Sequence, residues 1–170
     1  NFFNNLLQKF DSATELKSDV KEKETSKLIE YIKPVNTKKV KDFCSKNNFT
    51  AAQLFLAASS YALSRFTNTK DIFISTISNG RSNPKLQNTF GMFVKTLPLN
   101  VEIKNGKSVK DFISDTGKMF REVIDNEIYP YTKISKNFGF MPKIVYACIE
   151  LKALKLIKAS CSLSLLLQML

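Results

Sequence analysis

The chemistry open to this sequence is limited first by a missing side chain. The chain has 170 residues and no His, the residue most used as a general base near neutral pH. No Ser-His-Asp or Cys-His nucleophile can be assembled from it, nor a zinc site with a His ligand. Three Cys, at positions 44, 148 and 161, fall at spacings that match no metal or redox motif, and they read as buried or incidental thiols. Asp111 and Asp115 stand one helical turn apart. They follow a helix start whose dipole favours anions, so they are assigned to an exposed helix face and not to acid/base work. Arg81 follows Asn79-Gly80, and Gly91 and Pro98 stand within the run Phe90 to Leu99. An Arg after a strand either holds negative charge or serves as a surface ion-pair partner. Gly91 and Pro98 are expected to shape a bent strand. No catalytic residue and no metal ligand is assigned.

The elements that must position these residues are marked by caps and by periodicity. Phe3, Leu6, Leu7 and Phe10 have helical spacing, predicting a short amphipathic helix over 2–10. Residues 11–27, rich in Ser, Lys, Glu and Asp, read as an exposed connection. Leu28 to Lys33 predicts a strand ended by Pro34. A helix near 37–46 is capped around Asn36 or Thr37, and Thr50 caps a second helix near 51–66. The second is apolar or small on most sides, so it is expected to lie sandwiched between other elements. Branched and aromatic residues at 72–78 predict a strand stopped by Asn79-Gly80, and 92–103 predicts another, bent or bulged near Gly91 and Pro98. Ser108 caps a helix near 109–127 with a broad apolar stripe, ended by Tyr129-Pro130. A loop containing Gly139 and Pro142 leads to a strand at 144–149.

Bulk composition narrows the class. Apolar residues make up 44% and charged residues 24% of the chain, with fourteen Phe and no Trp, so a packed core of rings without hydrogen-bonding needs is expected. The net charge of +11 invites a nucleic-acid partner. Its distribution argues against one: no segment carries a dense basic stripe, and Lys is mixed with Glu as in Lys21-Glu22-Lys23-Glu24. An acidic protein surface would also be attracted. No signal peptide is read at the start and no apolar run is long enough to span a bilayer, so a soluble cytoplasmic chain without membrane contact is expected. The absence of an initial Met is consistent with a piece of something longer.

Three passages carry a resemblance to a known family. Phe90-Gly91-Met92-Phe93-Val94-Lys95-Thr96-Leu97-Pro98-Leu99 is similar to a motif Ile/Val-Gly-x-Phe-Val-Asn-Thr followed by Leu-Pro-Leu. Asn79-Gly80-Arg81 resembles a Gly-Arg step, and Asn126-Glu127-Ile128-Tyr129-Pro130-Tyr131 resembles a degraded Gln-Asp-Tyr-Pro-Phe. Together with the order of elements, these resemble the C-terminal lobe of the condensation domains of nonribosomal peptide synthetases, which share the chloramphenicol acetyltransferase-like fold. The resemblance covers 1–149. It implies a mixed α/β fold, incomplete, with a mixed sheet flanked by helices.

The implied function is peptide-bond formation between carrier-bound aminoacyl or peptidyl thioesters, as the acceptor-side scaffold. The family's His-His-x-x-x-Asp-Gly motif belongs to the N-terminal lobe and has no counterpart here, so the chain alone is not expected to be catalytic. The implied partners are that missing N-terminal lobe and a peptidyl or acyl carrier protein bearing phosphopantetheine; no cofactor is bound directly. The alternative is a non-catalytic carrier-binding module on the same fold. Arg81, Gly91, Phe93, Lys95, Thr96, Pro98, Tyr129 and Pro130 become candidates for the tunnel or the lobe interface. Lys95 stands where the motif has Asn, and is either a solvated strand residue or a contact for the phosphopantetheine phosphate. After Glu150 the composition shifts to Leu, Ser and Lys. Residues 150–170 therefore read either as the product of a frameshift or gene decay, or as an amphipathic helix.

Overall fold

The computed structural model describes residues 2–17, 30–139 and 142–148. The chain opens with α1 (Phe2–Leu7), and after the connection come α2 (Thr37–Asn47) and α3 (Ala51–Thr67). Then follow β1 (Asp71–Ser78), a 3-10 turn (Pro84–Leu86), β2 (Lys95–Glu102), α4 (Val109–Asp125), α5 (Tyr131–Phe138) and β3 (Val145–Tyr146). The sheet order is β2-β1-β3, with β1 antiparallel to β2 and parallel to β3.

The helix starts follow the expected caps. Asn36 accepts from Lys39 N, and Ser108 from Asp111 N. Thr50 and Gln53 form a reciprocal capping box that satisfies two backbone donors at the start of α3. Gln53 is also the point where α3 meets α4: a Cβ added at Gly117 would fall 2.5 Å from its Nε2. A glycine is therefore what lets the two helices approach there.

Side chains alternate across the sheet. Given the register, Ile72, Ile74, Thr76 and Ser78 share one face with Val101, Leu99, Leu97 and Lys95. Phe73, Ser75 and Ile77 share the other with Asn100, Pro98 and Thr96. Almost all of β1 is buried, as befits a central strand covered on both faces. Phe10 stacks on Phe73 with ring centroids 4.8 Å apart. Each such ring or branched side chain contributes about 1.5–3 kcal/mol by leaving water. The buried hydroxyls of β1 find carbonyls: Ser75 Oγ donates to Pro142 O at 3.2 Å, and Thr76 Oγ1 to Tyr146 O at 3.1 Å. Tyr146 in turn donates to Ala52 O at 2.7 Å, tying β3 to the start of α3, and its burial pushes the phenol well above its ordinary range.

Several expectations are corrected. The strand predicted at 28–33 is absent where it can be seen: Leu28 and Ile29 lie outside the described residues, and Glu30 to Lys33 form no strand. Tyr31 and Ile32 are 83% and 74% exposed, and no strand among the described residues pairs with them. The start of the exposed connection is pinned at Thr14, whose hydroxyl accepts from Phe73 N at 2.8 Å while its own N–H donates to Phe73 O at 3.0 Å.

The ladder of β1 with β2 runs unbroken through Pro98, without a bulge. The Ser75 N–H is spent on Ile144 O, so Ser75 and Pro98 form a pair without mutual hydrogen bonds, and the nitrogen of Pro98 turns away from β1, to the side where no strand among the described residues pairs with β2. β2 starts at Lys95 and not at 92, and β3 is only Val145–Tyr146, with Ile149 outside the described residues. The loop expected after Pro130 contains α5. α4 ends at Asp125 with Asn126 as its cap, before Tyr129-Pro130 is reached, and Pro130 instead starts the next helix, its carbonyl accepting from Lys133 N and Ile134 N.

α3 is not sandwiched all round, since Ala58, Tyr61, Ala62 and Phe66 remain exposed. The divergent stretch 150–170 lies outside the described residues. No helix among the described residues is long and apolar enough to cross a membrane.

Candidate functional site

The candidate residues divide between the two faces of the sheet. Thr96 and Pro98 lie on the Phe73 face, Pro98 buried and Thr96 half-buried beside the partly exposed Ile77. Arg81, Gly91 and Phe93 converge in the loop between β1 and β2. The Arg81 guanidinium donates to Leu86 O, to Thr89 O at 2.7 Å and to Gly91 O at 3.1 Å, and it lies 4.6 Å from the centroid of the Phe93 ring. Three carbonyls and an aromatic face consume the cation, so Arg81 organises this loop.

Gly91 adopts a φ of 144°, and the edge of the Phe93 ring lies 3.2 Å from where a Cβ would stand. The loop is held from inside, yet its apolar side chains face solvent: Phe90, Met92 and Val94 are 103%, 93% and 60% exposed. Their alternation reads as strand in the sequence. The backbone is irregular instead, because Arg81 takes its carbonyls.

Under this loop sits a group that sequence reasoning missed. Glu127, just past α4, is 1% exposed. Its carboxylate accepts from the hydroxyls of Ser78 and Ser82 and from Ser82 N at 3.1 Å. Lys95 Nζ donates to the backbone carbonyl of the same residue at 2.8 Å. Its cation thereby stands just beyond the C-terminus of α4, where positive charge suits the helix dipole. Lys95 is thus half-buried and engaged. Tyr129 follows closely, its ring centroid 5.9 Å from that of Phe3, which anchors the Tyr129-Pro130 step to α1.

A lone Glu after a helix reads as a solvated charge. The signal that marks it as more is its register: aligned on Tyr129-Pro130, Glu127 stands where the motif has Gln, just as Lys95 stands where it has Asn. The two departures are in contact.

The electrostatics of Glu127 have a defined sign. Burial pushes its carboxyl up, but the hydroxyls of Ser78 and Ser82, the Ser82 N–H and the charge of Lys95 together outweigh burial and hold it below its ordinary value. A group whose pKa is lowered by folding contributes stability above its unfolded pKa, and that stability is lost as pH falls through the folded value. Acid titration of the folded chain is therefore expected to show a loss of stability below about pH 4.3, the ordinary range of a Glu, that is reduced in Glu127→Gln. Denaturant midpoints across pH 2–6 for the two proteins check it; superimposable acid limbs would contradict it. Cys44 is buried and its thiol is raised by desolvation, which makes it a poor nucleophile.

Comparisons with known proteins bear on the family and the fold. The family model of the condensation domain matches residues 4–141. The chain is similar to bacitracin synthase 1 of Bacillus licheniformis, 34% identical over 100 residues, which is 59% of this chain and 2% of that protein. It is also similar to surfactin synthase subunit 1 of Bacillus subtilis, 29% identical over 89 residues, or 52% of this chain and 2% of that one. The chain thus spans only a small share of the length of these relatives.

Among solved structures, a four-domain holo nonribosomal peptide synthetase bound to AMP and glycine superposes with a TM-score of 0.79 at 16% identity, covering 90% of this chain and 13% of that one. The first condensation domain of the calcium-dependent antibiotic synthetase, in complex with a substrate analogue, gives 0.67 at 14% identity, covering 86% of this chain and 34% of that one. These likenesses identify the fold, and with a family match over most of its length this chain belongs to the condensation-domain family.

Proposed function

We propose that this chain is the C-terminal lobe of a condensation domain and acts as the acceptor-side scaffold for peptide-bond formation between carrier-bound thioesters. The His that assists attack of the acceptor amine on the donor thioester comes from the N-terminal lobe of such a domain. The observation that carries this reading is the loop from Arg81 to Val94. Its backbone is cross-tied by one guanidinium, while Phe90, Met92 and Val94 stand in water. An apolar display on a preorganised backbone is suited to binding, because little conformational freedom is lost when a partner covers it. Arg81 and Phe93 act there as the frame of the lobe interface, while Tyr129 packs against Phe3 of α1.

Complementation tests the proposal. The chain is co-expressed with an N-terminal condensation lobe bearing His-His-x-x-x-Asp-Gly, and the pair is assayed with aminoacyl-loaded carrier proteins. A stable one-to-one complex that forms a peptidyl product, with neither lobe active alone, is the expected result. No complex, with the chain remaining a monomer that unfolds cooperatively, would contradict it.

A further inference from the structure

We infer that Glu127 is the positioning residue for the loop between β1 and β2, acting in two steps: its carboxylate fixes the Ser78 to Ser82 turn, and the turn fixes the Arg81 guanidinium that shapes residues 84–94. The inference concerns the loop's order and does not depend on lobe pairing.

Three observations carry it. First, the carboxylate is buried and meets the turn at both ends, through Ser78 at the close of β1 and through the hydroxyl and N–H of Ser82. Hydrogen bonds to an ionised group are among the stronger ones available to a protein. Second, Ser78 Oγ also accepts from Gly80 N at 3.1 Å, and Asn79 Oδ1 accepts from Arg81 N at 2.9 Å. Every residue from 78 to 82 is therefore tied within the turn or to Glu127, and the start of the Arg81 side chain is fixed. Third, Arg81 reaches forward by five, eight and ten residues to the carbonyls of Leu86, Thr89 and Gly91. The segment Arg81–Val94 contains only one short regular turn, so these bonds hold much of its shape. Lys95 closes the circuit from the far end of the loop, on the Glu127 carbonyl.

The arrangement is directional. Loss of the carboxylate frees both the turn and the loop, whereas loss of the guanidinium frees the loop and leaves the turn anchored. General destabilisation does not produce that asymmetry.

Amide hydrogen exchange on the intact chain reads it directly. In Glu127→Ala, amides of both 79–82 and 84–94 are expected to exchange about tenfold faster or more, given the strength of the charged hydrogen bonds lost, with the centre of α3 unchanged. In Arg81→Ala the same acceleration is confined to 84–94. Glu127→Gln keeps an acceptor for Ser82 and a donor for Ser78, and is expected to restore protection to within about threefold of the unsubstituted chain. Identical patterns for Glu127→Ala and Arg81→Ala, or acceleration spread evenly over α3 and α4, would overturn the inference. Should Glu127→Ala fail to fold, Ser82→Ala removes one hydroxyl from an exposed residue: faster exchange across 79–94 supports the relay, and unchanged exchange there overturns it.

Discussion

Alanine at position 80 is expected to cost about 3–5 kcal/mol of stability, in the range reserved for substitutions that force backbone apart. Gly80 has a φ of 67°, and a Cβ built on it would lie 1.9 Å from the carbonyl oxygen of Phe93. The first fact alone is worth about 1 kcal/mol for a residue that must adopt left-handed geometry. The second has no cheap relief, because the obstacle is backbone. Phe93 sits two residues before β2 and under the Arg81 guanidinium, so moving it either breaks the cation–ring contact or displaces the start of the strand. Against a total stability of about 5–15 kcal/mol for a typical domain, such a loss removes a large part of the margin that keeps the chain folded. Gly106 supplies the control: its φ is 76° but nothing lies within 4 Å of its Cβ position. Gly106→Ala is therefore expected to cost about 1 kcal/mol, the strain without the collision. Urea midpoints for the two variants separate the contributions, and equal losses would mean that the approach of Phe93 to Gly80 carries no energy.

The contrast between these glycines indicates how far the sequence could be read. Elements whose limits are set by local chemistry were legible: Thr50 and Ser108 cap helices where expected, and Asn79-Gly80 ends β1 after Ser78. Elements set by distant partners were not. Phe90 to Val94 alternates like a strand, but its carbonyls answer to an Arg up to ten residues upstream. Residues 131–138 lie between Pro130 and Gly139, which read as punctuation around a loop, while α1 and β2 supply the packing that supports a helix there. Pro98 looked like a bend because its missing N–H matters only if it faces β1. Glu127 was invisible as a hub because its burial depends on two serines 45 and 49 residues away in sequence. The motif register held a trace of it, since two amides replaced by a cation and an anion in the same cluster are readable as a compensated exchange.

Replacing both Phe90 and Met92 by Asp is expected to abolish pairing with the N-terminal lobe while leaving the fold of this chain intact. Both side chains are almost wholly in water, at 103% and 93% exposure, and the bonds that hold the loop run from Arg81 to backbone carbonyls that the substitutions do not remove. Exposed positions of this kind change stability by about 0.5 kcal/mol or less. In a covered interface the same positions weigh heavily. Truncating a buried anchor commonly costs about 2 kcal/mol or more, and a charge placed where water has been excluded adds a desolvation penalty. Two such changes together are expected to weaken association by about a thousandfold or more. Titrating a labelled chain with separately produced N-terminal lobe measures this, with urea midpoints run in parallel to verify the fold. Undiminished affinity would place the lobe interface elsewhere, on the exposed face of α3 for example, whereas lost affinity with an unchanged midpoint assigns the loop to binding. Gly80→Ala supplies the complementary case, because it keeps the Phe90 and Met92 side chains and disturbs the backbone at Phe93 beside them. A proportionate loss of pairing there, measured under conditions where the chain stays folded, would mean that the order of the loop as well as its apolar surface governs the contact.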